Sequence, residues 1–163
     1  MRFHHMAIMV TKLEDAIKLW RDVLGFELGV ETVIPDGPKP GPDTFMYPDL
    51  LDDIFKVKGA RSRMALLSSK DGAFIELQEC ENPAIKKTPE ENLRYGHTGI
   101  HELGLLVDDI DGWYGRIKAA GYRMQTDYVW SCASLGRSFL FYDQDGNMIQ
   151  LWESREGEAA SWN

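Results

Sequence analysis

The sequence predicts an α+β chain built twice from one module: a strand, a helix, then about three more strands. Three observations carry that expectation. FHHMAIMV at residues 3–10 aligns without a gap on IHELGLLV at 100–107, an offset of 97 residues. KDGAFIELQE at 70–79 aligns on QDGNMIQLWE at 144–153, an offset of 74 residues. Between these landmarks each copy carries an apolar helical stripe followed by β-type runs, in the same order.

The first strand of each copy is a short apolar run ending in Val10 or Val107. The helix that follows in module one has Leu13, Ile17, Leu19, Trp20, Val23 and Leu24 on one stripe. Its counterpart in module two has Ile110, Trp113, Tyr114, Ile117 and Ala120. Thr11 and Asp108 are the expected N-caps, and Gly25 and Gly121 the left-handed C-caps. Each Asp-Gly, at 71–72 and 145–146, marks a hairpin turn joining RMALLSS or RSFLFYD to the last strand. The smaller second offset comes from an insertion at residues 35–59, Pro/Gly-rich at its start and then apolar. Its aromatic content predicts an ordered flap. The organisation is one domain over 1–163: module one 1–80 with the insertion 35–59, a linker 81–99, module two 100–153, and a tail 154–163 without periodicity, whose Trp162 has no assigned role.

A chain of 163 residues that is 44% hydrophobic and 11% aromatic can bury an ordinary core. No apolar run approaches the roughly 20 residues of a membrane span, and the N-terminus does not read as a signal peptide, so no membrane partner and a cytoplasmic setting are expected. Cys80 and Cys132 have no framework or paired metal spacing and read as reduced thiols. The net charge of −8 argues against nucleic acid, which is bound through clustered Lys and Arg.

Alternation then singles out four polar positions. Successive strand side chains point to opposite faces, so His5 goes with Ala7 and Met9, and Glu102 with Gly104 and Leu106. Glu76 and Gln150 are matched in the last strands, with flanking Ile and Leu on the other side. Four inward polar groups without partners would cost several kcal/mol for an unpaired charge. A divalent metal removes that cost. One imidazole, two carboxylates and one amide oxygen suit Fe, Mn, Mg, Ni or Zn in a near-octahedral shell with open positions. Singly, each of these residues also fits a solvated or packed position; the repeat is what groups them.

The stretches HMAIMV, LWRDVLGFELG, AFIELQE, IHELGLLVDDID, AAGY and DQDGNMIQLWE resemble the vicinal oxygen chelate superfamily. That group includes glyoxalase I, methylmalonyl-CoA epimerase, fosfomycin-resistance proteins, extradiol dioxygenases and metal-free bleomycin-resistance proteins. The resemblance covers about Arg2 to Glu153 and is more specific for fold than for reaction. It implies two βαβββ modules forming a curved, half-open mixed sheet around a central cavity. A metal would be held by the first and last strands of the modules, and a homodimer is expected because members often pair modules across a dimer interface. The family's ligand positions fall on His5, Glu76, Glu102 and Gln150. Two depart from the usual pattern: the third is commonly His and the fourth commonly Glu. A β-bulge at Gly99 would turn His101 inward in place of Glu102.

The reaction this implies is metal-dependent isomerase, lyase or epimerase chemistry: proton abstraction next to a carbonyl or carboxylate, with Glu102, or else Glu76, as base. The substrate is expected to be a small, partly apolar molecule, lined by Phe45, Tyr47, Phe55, Trp130, Phe141 and Trp152, although these aromatics equally fit core packing. Arg63, with Arg61 and Arg137, is either an anion clamp or solvated, and Tyr142 and Asp143, which precede the second turn, are further candidates for substrate contact without a geometry of their own. Two alternatives remain open. One is an extradiol-dioxygenase-like Fe(II) oxygenase, disfavoured by the single His among the matched positions. The other is a metal-free protein that binds or sequesters a drug.

Overall fold

The computed structural model describes residues 3–155. The chain is α+β, with two mixed sheets and few helices. It divides into two compact units that meet between Lys87 and Thr88. No helix among the described residues is long and apolar enough to cross a membrane.

The first unit carries β1 (His5–Met9), α1 (Leu13–Ile17) continuing as a π-helical turn Lys18–Val23, β2 (Glu27–Ile34), α2 (Pro48–Phe55), β3 (Arg61–Ser68) and β4 (Phe74–Asn82). Its sheet has the order β1-β4-β3-β2, with β1 parallel to β4 and the rest antiparallel. The predicted helical stripe is buried, with Leu13, Leu19 and Trp20 essentially inaccessible, and Trp20 meets Phe26 edge to face at 5.1 Å. The helix lies on the sheet face of Ile75, Leu77 and Glu79, the last accepting from the Leu13 N–H. The insertion is ordered. Pro48 opens α2 at a position where no N–H donor is missed, and Leu51 is buried with Ile34, Ala60 and Met64, with Met46, Phe55 and Val57 packed around them. Met64 is the register partner of Gln78, so α2 lies on the opposite face of the sheet from α1.

The second unit carries β5 (Glu102–Leu106), α3 (Ile110–Ala119), β6 (Arg123–Met124), β7 (Trp130–Cys132), β8 (Gly136–Tyr142) and β9 (Met148–Ser154). Its order is β5-β9-β8-β6, with β7 also paired to β8, and β5 is parallel to β9. After α3 come four strands, β6 and β7 both short, where about three were expected. Ile110 and Ile117 are buried beneath α3 with Phe139, Phe141, Ile149 and Leu151, whereas Ala120, expected on the stripe, is exposed. Within the span read as a linker, β4 runs on through Asn82 and Glu90–Leu93 forms a 3-10 turn. Of the expected tail, Ser154 ends β9; residues 156–163, Trp162 included, lie outside the described residues.

The repeat extends to side chains that hold each module together. The first N–H of α1, on Leu13, donates to Glu79 at 2.7 Å, and that of α3, on Ile110, donates to Glu153 at 2.9 Å. These glutamates on the last strands satisfy donors that a helix start leaves open. The N-caps accordingly fall one residue later than expected, at Lys12 and Asp109; Asp109 sits at φ 57° with its carboxylate accepting from Gly112. The Asp-Gly turns also match. Ser69 and Ala73 close the first, Asp143 and Asn147 the second, and Gly72 and Gly146 take φ of 84° and 93°.

Candidate functional site

Each module presents one pair of the predicted donors on the sheet face away from its first helix. On β1 and β4 the partners are His5↔Phe74 and Ala7↔Glu76, which sets His5 and Glu76 diagonally across adjacent parallel strands. His5 Nε2 stands 3.7 Å from Glu76 Oε2. The other oxygen, Glu76 Oε1, accepts a short hydrogen bond from the Gln78 amide nitrogen. Gln78 is only 4% exposed, and its own amide oxygen is buried without a partner. His4 completes the edge: its ring meets His5 Nδ1 at 2.7 Å and stacks on Phe74.

On β5 and β9 the partners are Glu102↔Met148 and Gly104↔Gln150, the same diagonal. Glu102 Oε2 accepts a short hydrogen bond from the Tyr95 phenol. Gly104, the counterpart of Ala7, leaves room for the Gln150 amide: a Cβ there would sit 3.5 Å from Gln150 Oε1. The β5–β9 pairing runs without a bulge from Glu102. His101 precedes the strand, and its ring nitrogens meet the Leu93 and His97 carbonyls.

The remaining predicted residues divide by face. Trp152 shares the Gln150 face, and Trp130 packs against Leu140, Tyr142 and Met148 on that side. In the first unit, Phe55 packs on the α2 side, Tyr47 caps α2 and is half-buried, and Phe45 is exposed. Phe141 is instead the partner of Ile149 and is fully buried on the α3 side against Tyr122 and Phe139. Arg63 also lies on the helix side, opposite Glu79, and reaches Glu14 at 2.6 Å, Glu79 at 3.4 Å and Glu31 at 3.5 Å. Arg137 repeats this with Asp111 at 2.7 Å and Glu153 at 3.8 Å, and Arg61 pairs with Glu81 at 2.7 Å. These arginines hold helices and strands, which is why their charges are spent. Asp143 staples its turn, accepting from the Asp145 and Asn147 amides, and burial pushes its carboxyl up.

A family model for the glyoxalase/bleomycin resistance protein/dioxygenase superfamily matches residues 2–151. The chain belongs to that superfamily. Its fold is shared by a glyoxalase family protein from Bacillus cereus, at 18% identity over 94% of this chain and 93% of that one, with a TM-score of 0.77. It is shared by the fosfomycin resistance protein FosX from Listeria monocytogenes, solved as a mutant with Mn(II) and 1S,2S-dihydroxypropylphosphonic acid (15% identity, 98% and 97% covered, TM-score 0.59). An antibiotic binding protein from a Streptomyces species matches at 18% identity, 95% and 97% covered, TM-score 0.55. No curated protein matches. At these identities the likeness is one of fold.

The superfamily includes a member with bound Mn(II), so the donors here can be tested for fit. Among the described residues no three of His, Cys, Asp and Glu are gathered as a metal-holding group; each unit supplies two of the four donors. Their chemistry suits a hard divalent cation. In each half-site one carboxylate oxygen is held by a neutral donor, Gln78 or Tyr95, the way outer partners orient metal ligands, and the second Glu76 oxygen lies 3.7 Å from His5 Nε2. Gln78 was legible in AFIELQE as the residue two beyond Glu76 on the same face. Tyr95, in an irregular segment, carries no such signal.

Proposed function

We propose that this superfamily member is a metal-dependent isomerase, lyase or epimerase that removes a proton next to a carbonyl or carboxylate of a small, partly apolar molecule. The observation that supports it is the pair of matched half-sites, His5 with Glu76 and Glu102 with Gln150, at the same register positions of two parallel strand pairs. In this reading those four residues hold a divalent ion, whose contribution is Lewis acidity toward two neighbouring substrate oxygens. Glu102 is the base. Its Oε2 is tied to the Tyr95 hydroxyl, and desolvation followed by the Glu102 contact pushes Tyr95 up to about 12, so the phenol stays a donor at neutral pH. The remaining carboxylate oxygen, the one that would otherwise face the ion, is then the one that takes the proton from carbon. Glu76, fixed by Gln78, serves as ligand. Trp130 and Trp152, with Phe45, Tyr47 and Phe55 from the insertion, shield the apolar part of the substrate. The protein would work as a cytoplasmic homodimer with both cysteines reduced.

Metal analysis of the purified protein and deuterium exchange into substrate C–H groups test this reading. About one divalent ion per chain is expected, lost in His5→Ala and Glu102→Ala but retained in His101→Ala. Exchange should vanish in Glu102→Gln. Substoichiometric metal indifferent to His5→Ala would overturn the enzyme assignment and leave ligand sequestration, and oxygen uptake with catechols would replace proton transfer by ring cleavage. Sedimentation at micromolar concentration checks the dimer.

A further inference from the structure

We propose that the second module carries an oxyanion-binding subsite beside Glu102, which anchors a carboxylate or phosphonate group of the substrate; this rests on Glu102 belonging to the functional site. The subsite is a cavity of about 300 Å³ lined by Arg94, Tyr95, Arg123, Gln125, Tyr142 and Met148. Arg123, Tyr142, Met148 and Glu102 are successive register partners across β6, β8, β9 and β5, so they form one row on one face. The floor of the cavity is dry, since Tyr142 and Met148 are buried and packed with Leu140 and Trp130.

The spare donors are the guanidinium groups of Arg94 and Arg123 and the amide of Gln125. Arg123 lies 3.5 Å above the Tyr142 ring, which fixes the plane of its guanidinium and leaves its N–H edge free to face a ligand. Among the described residues its carboxylate contact is Nη2 to Glu90 at 3.2 Å, and Arg94 shares that same oxygen at 3.1 Å. Both guanidinium groups converge on that oxygen and keep further N–H donors, and their two positive charges are set against the carboxylates of Glu90 and Glu102. Tyr142 spends its hydroxyl hydrogen on Gln125 Oε1, so the Gln125 NH2 group faces away from that contact without a protein acceptor among the described residues. Tyr95 spends its own on Glu102. A shallow, largely polar cavity with exposed guanidinium groups at its rim and Tyr142 and Met148 at its floor fits an acceptor-rich anion on a compact body.

The repeat sharpens the assignment. Arg63 and Arg137 occur in both modules and hold the fold in both. In the first module the row equivalent to the subsite reads Glu27, Ser68, Phe74 and His5, with no arginine. The arginine cluster is therefore something the second module has beyond what the shared fold requires.

Phenylphosphonate, benzoate and neutral benzamide titrated into chelator-treated protein test the subsite independently of any metal, with calorimetry for affinity and the arginine Nε–Hε resonances as the local readout. At least one anion should bind saturably, ten-fold or more tighter than benzamide, and shift the Arg94 and Arg123 signals. Arg123→Gln should weaken it at least ten-fold and Arg94→Gln several-fold, with unchanged melting temperatures. Equal binding of benzamide and the anions, or anion binding indifferent to both substitutions, would overturn the proposal. Loss of anion binding with intact Glu102-dependent deuterium exchange would sink the subsite alone; the reverse pattern would sink the proton-transfer reading alone.

Discussion

The orientation of Glu76 depends on Gln78, a side chain held by the strand interior with one amide hydrogen bond made and one buried acceptor unmet. Leaving such an acceptor unsatisfied costs about 1–3 kcal/mol, comparable to what the bond to Glu76 returns. Gln78→Met removes both, so the melting temperature should move little. Glu76 loses its tether, and Mn(II) affinity measured by calorimetry should fall about 10–100-fold, the usual cost of deleting an outer partner of a ligand. Unchanged affinity would detach Gln78 from the site. The same face arithmetic explains which candidate residues had a legible placement. His5, Glu76, Glu102 and Gln150 follow from alternation within single strands. Phe141 and Arg63 needed the register between strands: counting outward from the Asp143–Asn147 and Ser69–Ala73 turn closures pairs Phe141 with Ile149 and Arg63 with Glu79, on the helix side. Without the turn geometry, their faces stay undetermined.

The helices are tied to their sheets by the same device in both modules. Glu79 and Glu153 end the motifs FIELQE and MIQLWE, and each accepts from a helix N-terminal N–H where a negative charge is also favoured by the helix dipole. Glu153→Ala should destabilise the second module by about 1–2 kcal/mol in urea titrations, the range for losing a helix cap. Glu153→Gln keeps an acceptor and should recover part of it. Equal stability of the wild type and Glu153→Ala would remove the cap from the account. The strand–helix order and both turns were readable because periodicity and Asp-Gly are local signals. The split between β6 and β7 was not: Gln125 N–H still donates to Leu140 on β8, and pairing resumes only at Trp130. The insertion was read as an ordered flap, yet its seat on Met64 and Ile34 depends on contacts distant in sequence.

Across the whole chain, charge pairing gives stability a defined pH dependence. Arg63 holds Glu14 below the usual carboxylate range and Arg137 does the same for Asp111, while backbone N–H groups of Met46 and Ala60 lower Asp36 and Asp52. A carboxylate depressed in the folded state stabilises it fully above the unfolded value, about 4, and loses that contribution as pH falls through the folded value. Asp143, raised by burial, has the opposite sign: its contribution is greatest in acid and fades as pH rises through its elevated value. The melting temperature should therefore stay level from neutral pH down to about 5 and fall below about 4. The Arg63→Gln/Arg137→Gln double variant isolates the paired part, because Glu14 and Asp111 then revert toward ordinary titration. Its deficit relative to the wild type should be largest near pH 7, shrink steadily below pH ~4, and diminish in 0.5 M salt, since these groups are exposed enough to be screened. A deficit that persists unchanged at pH 3 would mean that the arginines act through their packed aliphatic stems, with the ion pairs contributing nothing measurable.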